Sequence, residues 1–194
     1  MPIILATFSL LAAAQGAPLG AVPPPVEQAT ANCANPVYAS DQLVCSDREL
    51  KGRDAQLAAL VGQAPIAGAV LMESDSAWFS RRSRCAFSSD HRACLAAAYG
   101  ERIALHEALA ASLSPEGETF VKTCRSRDQN LDVRFSTSGT APTTVLSDAA
   151  SGKVLGVLFG QVSSEAPWKP FATLALPSRR YAIRMVDGSL WRCR

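Results

Sequence analysis

Six cysteines, at positions 33, 45, 85, 94, 124 and 193, constrain this chain more than any other feature. An even set in which no two lie closer than nine positions reads as a disulfide framework. Zinc sites are built on tight C-x₂₋₄-C pairs, and only His91 and His106 are present to complete a cage, so no metal site and no cofactor are expected. Disulfides persist in oxidising compartments, which makes the protein an exported one. The start of the chain agrees. Residues 1–17, MPIILATFSLLAAAQGA, form an apolar run closing on small side chains, the shape of a cleavable signal peptide. That run is too short to span roughly 30 Å of hydrocarbon as a helix, and no later stretch is long enough. A lipoprotein signal would place a cysteine directly after the small residues, whereas the first here is Cys33. A periplasmic or secreted protein without membrane insertion is the expectation.

Residues 18–32 are Pro-rich and nearly uncharged and read as an extended linker. From 33 to 113 the chain is rich in Ala, Leu and Arg with helix punctuation. Asn35-Pro36 reads as a helix start, Ser46 with Glu49 as a capping box, and Leu50, Leu57 and Val61 as one apolar face that also carries Asp54. A third helix is expected over 66–87 and a fourth from His91, with Leu95, Tyr99, Arg102, Ile103 and His106 facing inward. Trp78, Arg82, Tyr99 and Arg102 are core candidates. Asp54, on an apolar face, needs a buried partner, and Arg82 or Arg102 would supply it as a register-fixing ion pair. If 36–45 were helical, Cys33 and Cys45 would stand about 15 Å apart, so Cys45–Cys85 and Cys33–Cys94 are the expected bonds.

From 114 to 194 β-branched and alternating segments replace the helical pattern. Candidate strands are 119–123, 131–135, 143–146, 154–159, 171–176, 181–186 and 189–193, the last two joined by an Asp187-Gly188 turn. Gly152, Gly156 and Gly160 recur every fourth residue within one of these segments and read as part of a strand. A Cys124–Cys193 bond would tie the first strand to the last, closing a loop worth on the order of 4 kcal/mol in the chain-entropy account. The fold expected is therefore α+β in two domains, a disulfide-bonded helical bundle at 33–113 followed by a small antiparallel β-barrel at 114–194.

Charge excludes some functions. The whole chain carries a formal +2, too little for a nucleic-acid binder. Residues 33–113 are net −1 and 114–194 net +4, with Glu27 completing the +2, so any electrostatic footprint belongs to the barrel. No H-E-x-x-H, P-loop, G-x-S-x-G or C-x-x-C motif is present, and neither histidine has a triad partner in view. No catalytic residues are assigned, and a non-enzymatic protein is expected.

The linked motifs C-x₁₁-C-S-D-x-E-L (Cys33 to Leu50), L-x₃-D-x₂-L (Leu50 to Leu57), W-x₃-R-x₂-C (Trp78 to Cys85) and C-L-x₃-Y-x₂-R-I (Cys94 to Ile103) resemble the LprI-type lysozyme inhibitor domain. Val61 stands where that family often has Tyr. The resemblance implies an exported, disulfide-bonded helical domain without enzymatic activity. The second half is similar in outline to the MliC-type inhibitors of c-type lysozyme, small β-barrels that present a Ser-Gly-x-x-Tyr segment and a Lys-Gly loop to the enzyme. Here the corresponding stretches read Ser163-Ser164-Glu165-Ala166-Pro167-Trp168-Lys169 and Pro177-Ser178-Arg179-Arg180. Ser164, Trp168, Lys169, Arg179 and Arg180 are the implied lysozyme contacts. A hydroxyl and a guanidinium match the two carboxylates of a lysozyme cleft. Lysozyme binding without catalysis is the expected function; the alternative is a module that recognises envelope glycan or an envelope protein.

Overall fold

The computed structural model describes residues 29–63, 66, 70–110, 119–137, 143–160, 162–175 and 181–194. The expected signal peptide, most of the Pro-rich stretch, the 114–118 boundary and the Arg179-Arg180 pair lie outside them. Four helices come first: α1 (Ala39–Ser46), α2 (Arg48–Gln63), α3 (Asp75–Ser83), continued by a 3₁₀ turn at Arg84–Phe87, and α4 (His91–Ala110). Seven strands follow and close into a barrel: β1 (Thr119–Arg125), β2 (Asn130–Thr137), β3 (Thr143–Asp148), β4 (Val154–Phe159), β5 (Ala172–Ala175), β6 (Tyr181–Met185) and β7 (Leu190–Cys193). The architecture is α+β, helices then barrel, and each expected strand is present.

The helix starts differ from expectation. α1 begins at Ala39, not Pro36, and Asn32 instead folds the preceding turn by accepting from the Ala34 and Asn35 N–H groups. Asp47, not Ser46, caps α2: its Oδ1 accepts from the Glu49 and Leu50 N–H groups, while the Ser46 hydroxyl donates back to Gln42 and Leu43 carbonyls. α3 starts at Asp75 behind Ser74, whose Oγ accepts from Ala77 N–H. The described part of 66–74 is not helical, because Leu71 joins the barrel's core, and Ile66 and Met72 join a cluster with Leu105 and Val157.

Those shorter helices overturn the expected disulfides. With only 39–46 helical, the chain from Cys33 runs back beside α1, and its Cα comes within 5.4 Å of that of Cys45, to which it is bonded. The 3₁₀ turn and the bend after it bring Cys85 against the first turn of α4, where it bonds Cys94, Cα atoms 5.5 Å apart. Cys124–Cys193 forms as expected, across directly paired positions of β1 and β7. All six cysteines are therefore spent.

Seven strands cannot alternate in direction all the way round a closed sheet, so an odd barrel must contain a parallel neighbour pair. It falls at β4–β5, where Phe159 is level with Thr173, and every other neighbour pair is antiparallel. Parallel neighbours need a crossover in place of a hairpin. Here the stretch between Phe159 and Ala172 makes it, and its residues Trp168, Lys169 and Phe171 are held by α3 and α4.

The two halves share a packed seam. β4 (VLGVLF) is buried on both faces, as a strand covered by a helix should be. Val157 meets Leu105 of α4, and Leu158 faces the barrel core. A Cβ on Gly156 would sit 2.5 Å from the Leu71 carbonyl oxygen. This close approach, not a loop or membrane role, explains a glycine mid-strand. Gly156→Ala is expected to destabilise by about 1–3 kcal/mol through overpacking. Urea unfolding followed by circular dichroism checks this, and an unchanged midpoint would remove the close approach as the reason for the glycine.

Candidate functional site

Four carboxylates of the helical half are buried among the described residues, and three of them, all aspartates, tie it together from within. Asp41 accepts from Arg82 Nη2 at 2.6 Å, and Arg82 lies 4.3 Å above the Phe79 ring. Asp75 is a hub. Its Oδ1 accepts from Arg102 Nη2 (2.6 Å), Arg102 Nε (3.0 Å) and His106 Nε2 (2.9 Å), and its Oδ2 accepts from Ile66 N–H (2.7 Å). The third, Asp54, departs from expectation. It pairs with neither arginine but accepts from the Tyr99 hydroxyl at 2.7 Å and from Ala31 N–H at 2.9 Å. Both arginines are already taken by Asp41 and Asp75, and burial pushes the Asp54 carboxyl up against the lowering effect of its two donors. Ala29 and Ala31 thus pack at the end of the Pro-rich stretch. Trp78, Arg82, Tyr99 and Arg102 are core residues, as expected. Ser40 Oγ lies 3.1 Å from His91 Nε2, yet its hydrogen goes to the Ser83 carbonyl and the side chain is fully buried, so the pair ties helices together.

The crossover is anchored on this framework. Trp168 is 6% exposed and sits in the helical core, with its ring under the Arg81 guanidinium at 3.9 Å. Its indole N–H donates to Glu101 Oε2 on α4, and Phe171 N–H donates to Glu101 Oε1 at 2.7 Å. Arg81 also grips Glu73 with two nitrogens and donates to the Lys169 carbonyl at 2.7 Å. Burial pushes the Glu101 carboxyl up, against the lowering charge of Arg81 and those two N–H donors. With Trp168 and Phe171 fixed, the exposed tip that precedes Trp168 is closed by the lysine that follows it: Lys169 Nζ donates to the Ser163 and Ser164 carbonyls at 2.6 and 2.7 Å. Ser163 Oγ accepts from Glu165 N–H and its carbonyl from Ala166 N–H.

Beside this tip lies a cleft of about 440 Å³ lined by Ser163, Ser164, Lys169, Thr173, Arg184 and Val186, among others. Arg184 is the residue that sequence reasoning missed. It is the one outward position of the described β6 that carries charge, opposite Thr173 of β5, and it makes no ion pair among the described residues. The alternation in Tyr-Ala-Ile-Arg-Met signalled that it points outward, but only the crossover's path brings Ser164 to it. Of the residues implied as lysozyme contacts, Ser164 and Lys169 share this cleft and Trp168 is buried beneath it. Arg179 and Arg180 lie outside the described residues. Among the described residues no cluster of three or more His, Cys, Asp or Glu side chains is placed to hold a metal ion, and no helix is long and apolar enough to cross a membrane.

No family model matches the chain, and no solved structure matches it. Curated relatives do. A protein named Lipoprotein LprI in Mycobacterium bovis, and the same-named protein in two strains of Mycobacterium tuberculosis, are 30% identical over 145 residues, covering 74% of this chain and 73% of theirs. That name is not an enzyme's, and a lipoprotein relative together with three disulfides fits an exported protein. Identity at this level across nearly three quarters of both chains makes this protein a member of the LprI family.

Proposed function

We propose that this protein is an exported, non-catalytic inhibitor of lysozyme, of the c-type, and that it engages the enzyme through the crossover tip and the cleft beside it. The observation that carries the reading is that Ser164, on a tip held by Lys169 and Trp168, and Arg184 of β6, without an ion pair among the described residues, line one cleft. A hydroxyl and a guanidinium are the donors that suit two carboxylates across a glycosidase cleft. A tip already locked in one shape has little ordering entropy left to lose on binding. In this reading Trp168 supports the tip from below, and contact falls to Ser164, Arg184 and the exposed stem of Lys169. Glu165, exposed on the same tip, places a local negative charge towards a basic enzyme within a half that is net positive.

A turbidimetric lysis assay of c-type lysozyme on cell walls, with the oxidised mature protein, tests it. Near-stoichiometric slowing of lysis is expected, and Ser164→Ala and Arg184→Gln are each expected to weaken inhibition about tenfold by removing one hydrogen bond to a charged group. Undiminished lysis with the intact protein ends the proposal. Full inhibition by both variants would leave the inhibition standing and remove this cleft from it.

A further inference from the structure

A second cleft, of about 430 Å³, opens where the barrel closes. It is lined by Thr123 and Arg125 of β1, Ser126 and Arg127 of the turn that follows, and Leu190, Arg192 and Arg194 at the β7 end. The register explains the crowding. Arg125 is directly opposite Arg192, and Thr123 exchanges both main-chain hydrogen bonds with Arg194. Cys124 and Cys193, between them, point inward to their disulfide, so by strand alternation Arg125, Arg192 and Arg194 stand on the outer face, and Arg127 is exposed in the turn beside them.

Like charges directly opposite on one sheet face destabilise a strand pair. No ion pair relieves them among the described residues. Arg53, Arg81, Arg82, Arg92 and Arg102 of the helical half are each in an ion pair, whereas Arg125, Arg127, Arg192 and Arg194 are in none among the described residues. Asp132, the carboxylate one strand away on the same face, accepts from Thr123 Oγ1 at 2.7 Å instead. Arg125 is steadied by Asn130, whose Oδ1 accepts from its Nε at 2.8 Å, which leaves its terminal nitrogens unspent. Even with Asp128 beside Arg127 in the turn, the lining itself carries four arginines and no acidic side chain.

We propose that this cleft is a binding site for a multiply charged, phosphate-bearing ligand. All four cations are arginines, whose planar forks match phosphate oxygens in pairs, and none is lysine. Four forks supply more donors and more charge than a single carboxylate can use. Two or more linked phosphate groups match them, and a volume of this size admits such a ligand. The site stands apart from the Ser164–Arg184 cleft and does not depend on lysozyme inhibition.

The test is calorimetric titration of the oxidised full chain with sodium tripolyphosphate, with sulfate at equal ionic strength as the control and pelleting with anionic phospholipid vesicles as a parallel arm. Saturable 1:1 binding of tripolyphosphate, a raised melting temperature, and a loss of affinity of about tenfold or more in the Arg125→Gln/Arg192→Gln double variant are expected. Without ligand, the double variant should melt above the wild type, because the opposed charges are gone, which also shows that it folds. Its inhibition of lysozyme should not change. No saturable binding, binding retained by the double variant, or sulfate binding as tightly as tripolyphosphate would each overturn the proposal. Pelleting with vesicles without tripolyphosphate binding would overturn it too, assigning the face to a lipid surface.

Discussion

Asp75→Ala should be among the most damaging single substitutions in the helical half, lowering stability by about 3–5 kcal/mol, the cost of leaving a buried charge without its partner. Arg102 is 2% exposed and directs two of its nitrogens at Asp75 Oδ1; without that carboxylate it keeps the Glu73 carbonyl at 2.9 Å. His106 and the Ile66 N–H lose their acceptor in the same step. The pH dependence has a defined sign. Burial pushes the Asp75 carboxyl up, but the His106 hydrogen bond, the Arg102 charge and the Ile66 N–H together outweigh it and hold the group below its ordinary 3.8. A carboxyl depressed on folding contributes stability that is present above the ordinary value and lost as pH falls through the depressed one. The wild type's advantage over Asp75→Asn should therefore be constant near neutrality and shrink in strong acid. Urea midpoints measured across that range check both points. A variant with the wild-type midpoint, or an advantage that persists unchanged into strong acid, contradicts the hub.

Trp168→Ala carries the second large effect, about 3–5 kcal/mol for removing a buried aromatic from a core. The ring fills the helical core beneath Arg81, and its N–H is one of the two neutral donors on Glu101. Unlike Asp75→Ala, this change should also cut lysozyme inhibition, since it frees the tip that holds Ser164 beside Arg184. Trp168→Phe separates the contributions: it keeps most of the packing and leaves Glu101 one donor short, at about 1–3 kcal/mol. Glu101 titrates in the opposite sense to Asp75. Burial raises its carboxyl above 4.5 on folding, so stability falls as pH rises from that value through the raised one, and Glu101→Gln should abolish that slope. Stability and inhibition both at wild-type level in Trp168→Ala would show that the crossover does not depend on its tryptophan.

The barrel was almost wholly legible in the sequence, because alternation places Val133, Phe135, Leu146 and Ile183 inward whatever the tertiary context. The faces of α2 and α4 were legible for the same reason at a period of 3.6. What failed were the joints. The third helix was expected to start at Ile66, yet the described part of 66–74 is not helical, because Leu71 is taken into the barrel's core. The disulfide pairing failed with it, since the 15 Å separation of Cys33 and Cys45 held only for a helix starting at residue 36. Asp54 was rightly given a buried partner and wrongly given an arginine; nothing in a linear sequence says that Asp41 and Asp75 reach those arginines first. At the candidate site the segment was found by resemblance, but Arg184 was not, because its proximity to Ser164 arises from chain direction. Seven strands and a closing disulfide imply a parallel neighbour pair, and hence a crossover, by parity alone.

That crossover also sets an order of assembly. Synthesis runs from the N-terminus, and domains generally fold in that order. The helices, with two disulfides at sequence separations of 12 and 9, can therefore gather before Trp168 arrives to fill their core. Docked on Glu101 and Arg81, the crossover leads directly into β5 beside β4. The helical half is thus a template on which the barrel is wound, and the Cys124–Cys193 bond, joining the first strand to the last, is the stitch that records that the winding is finished.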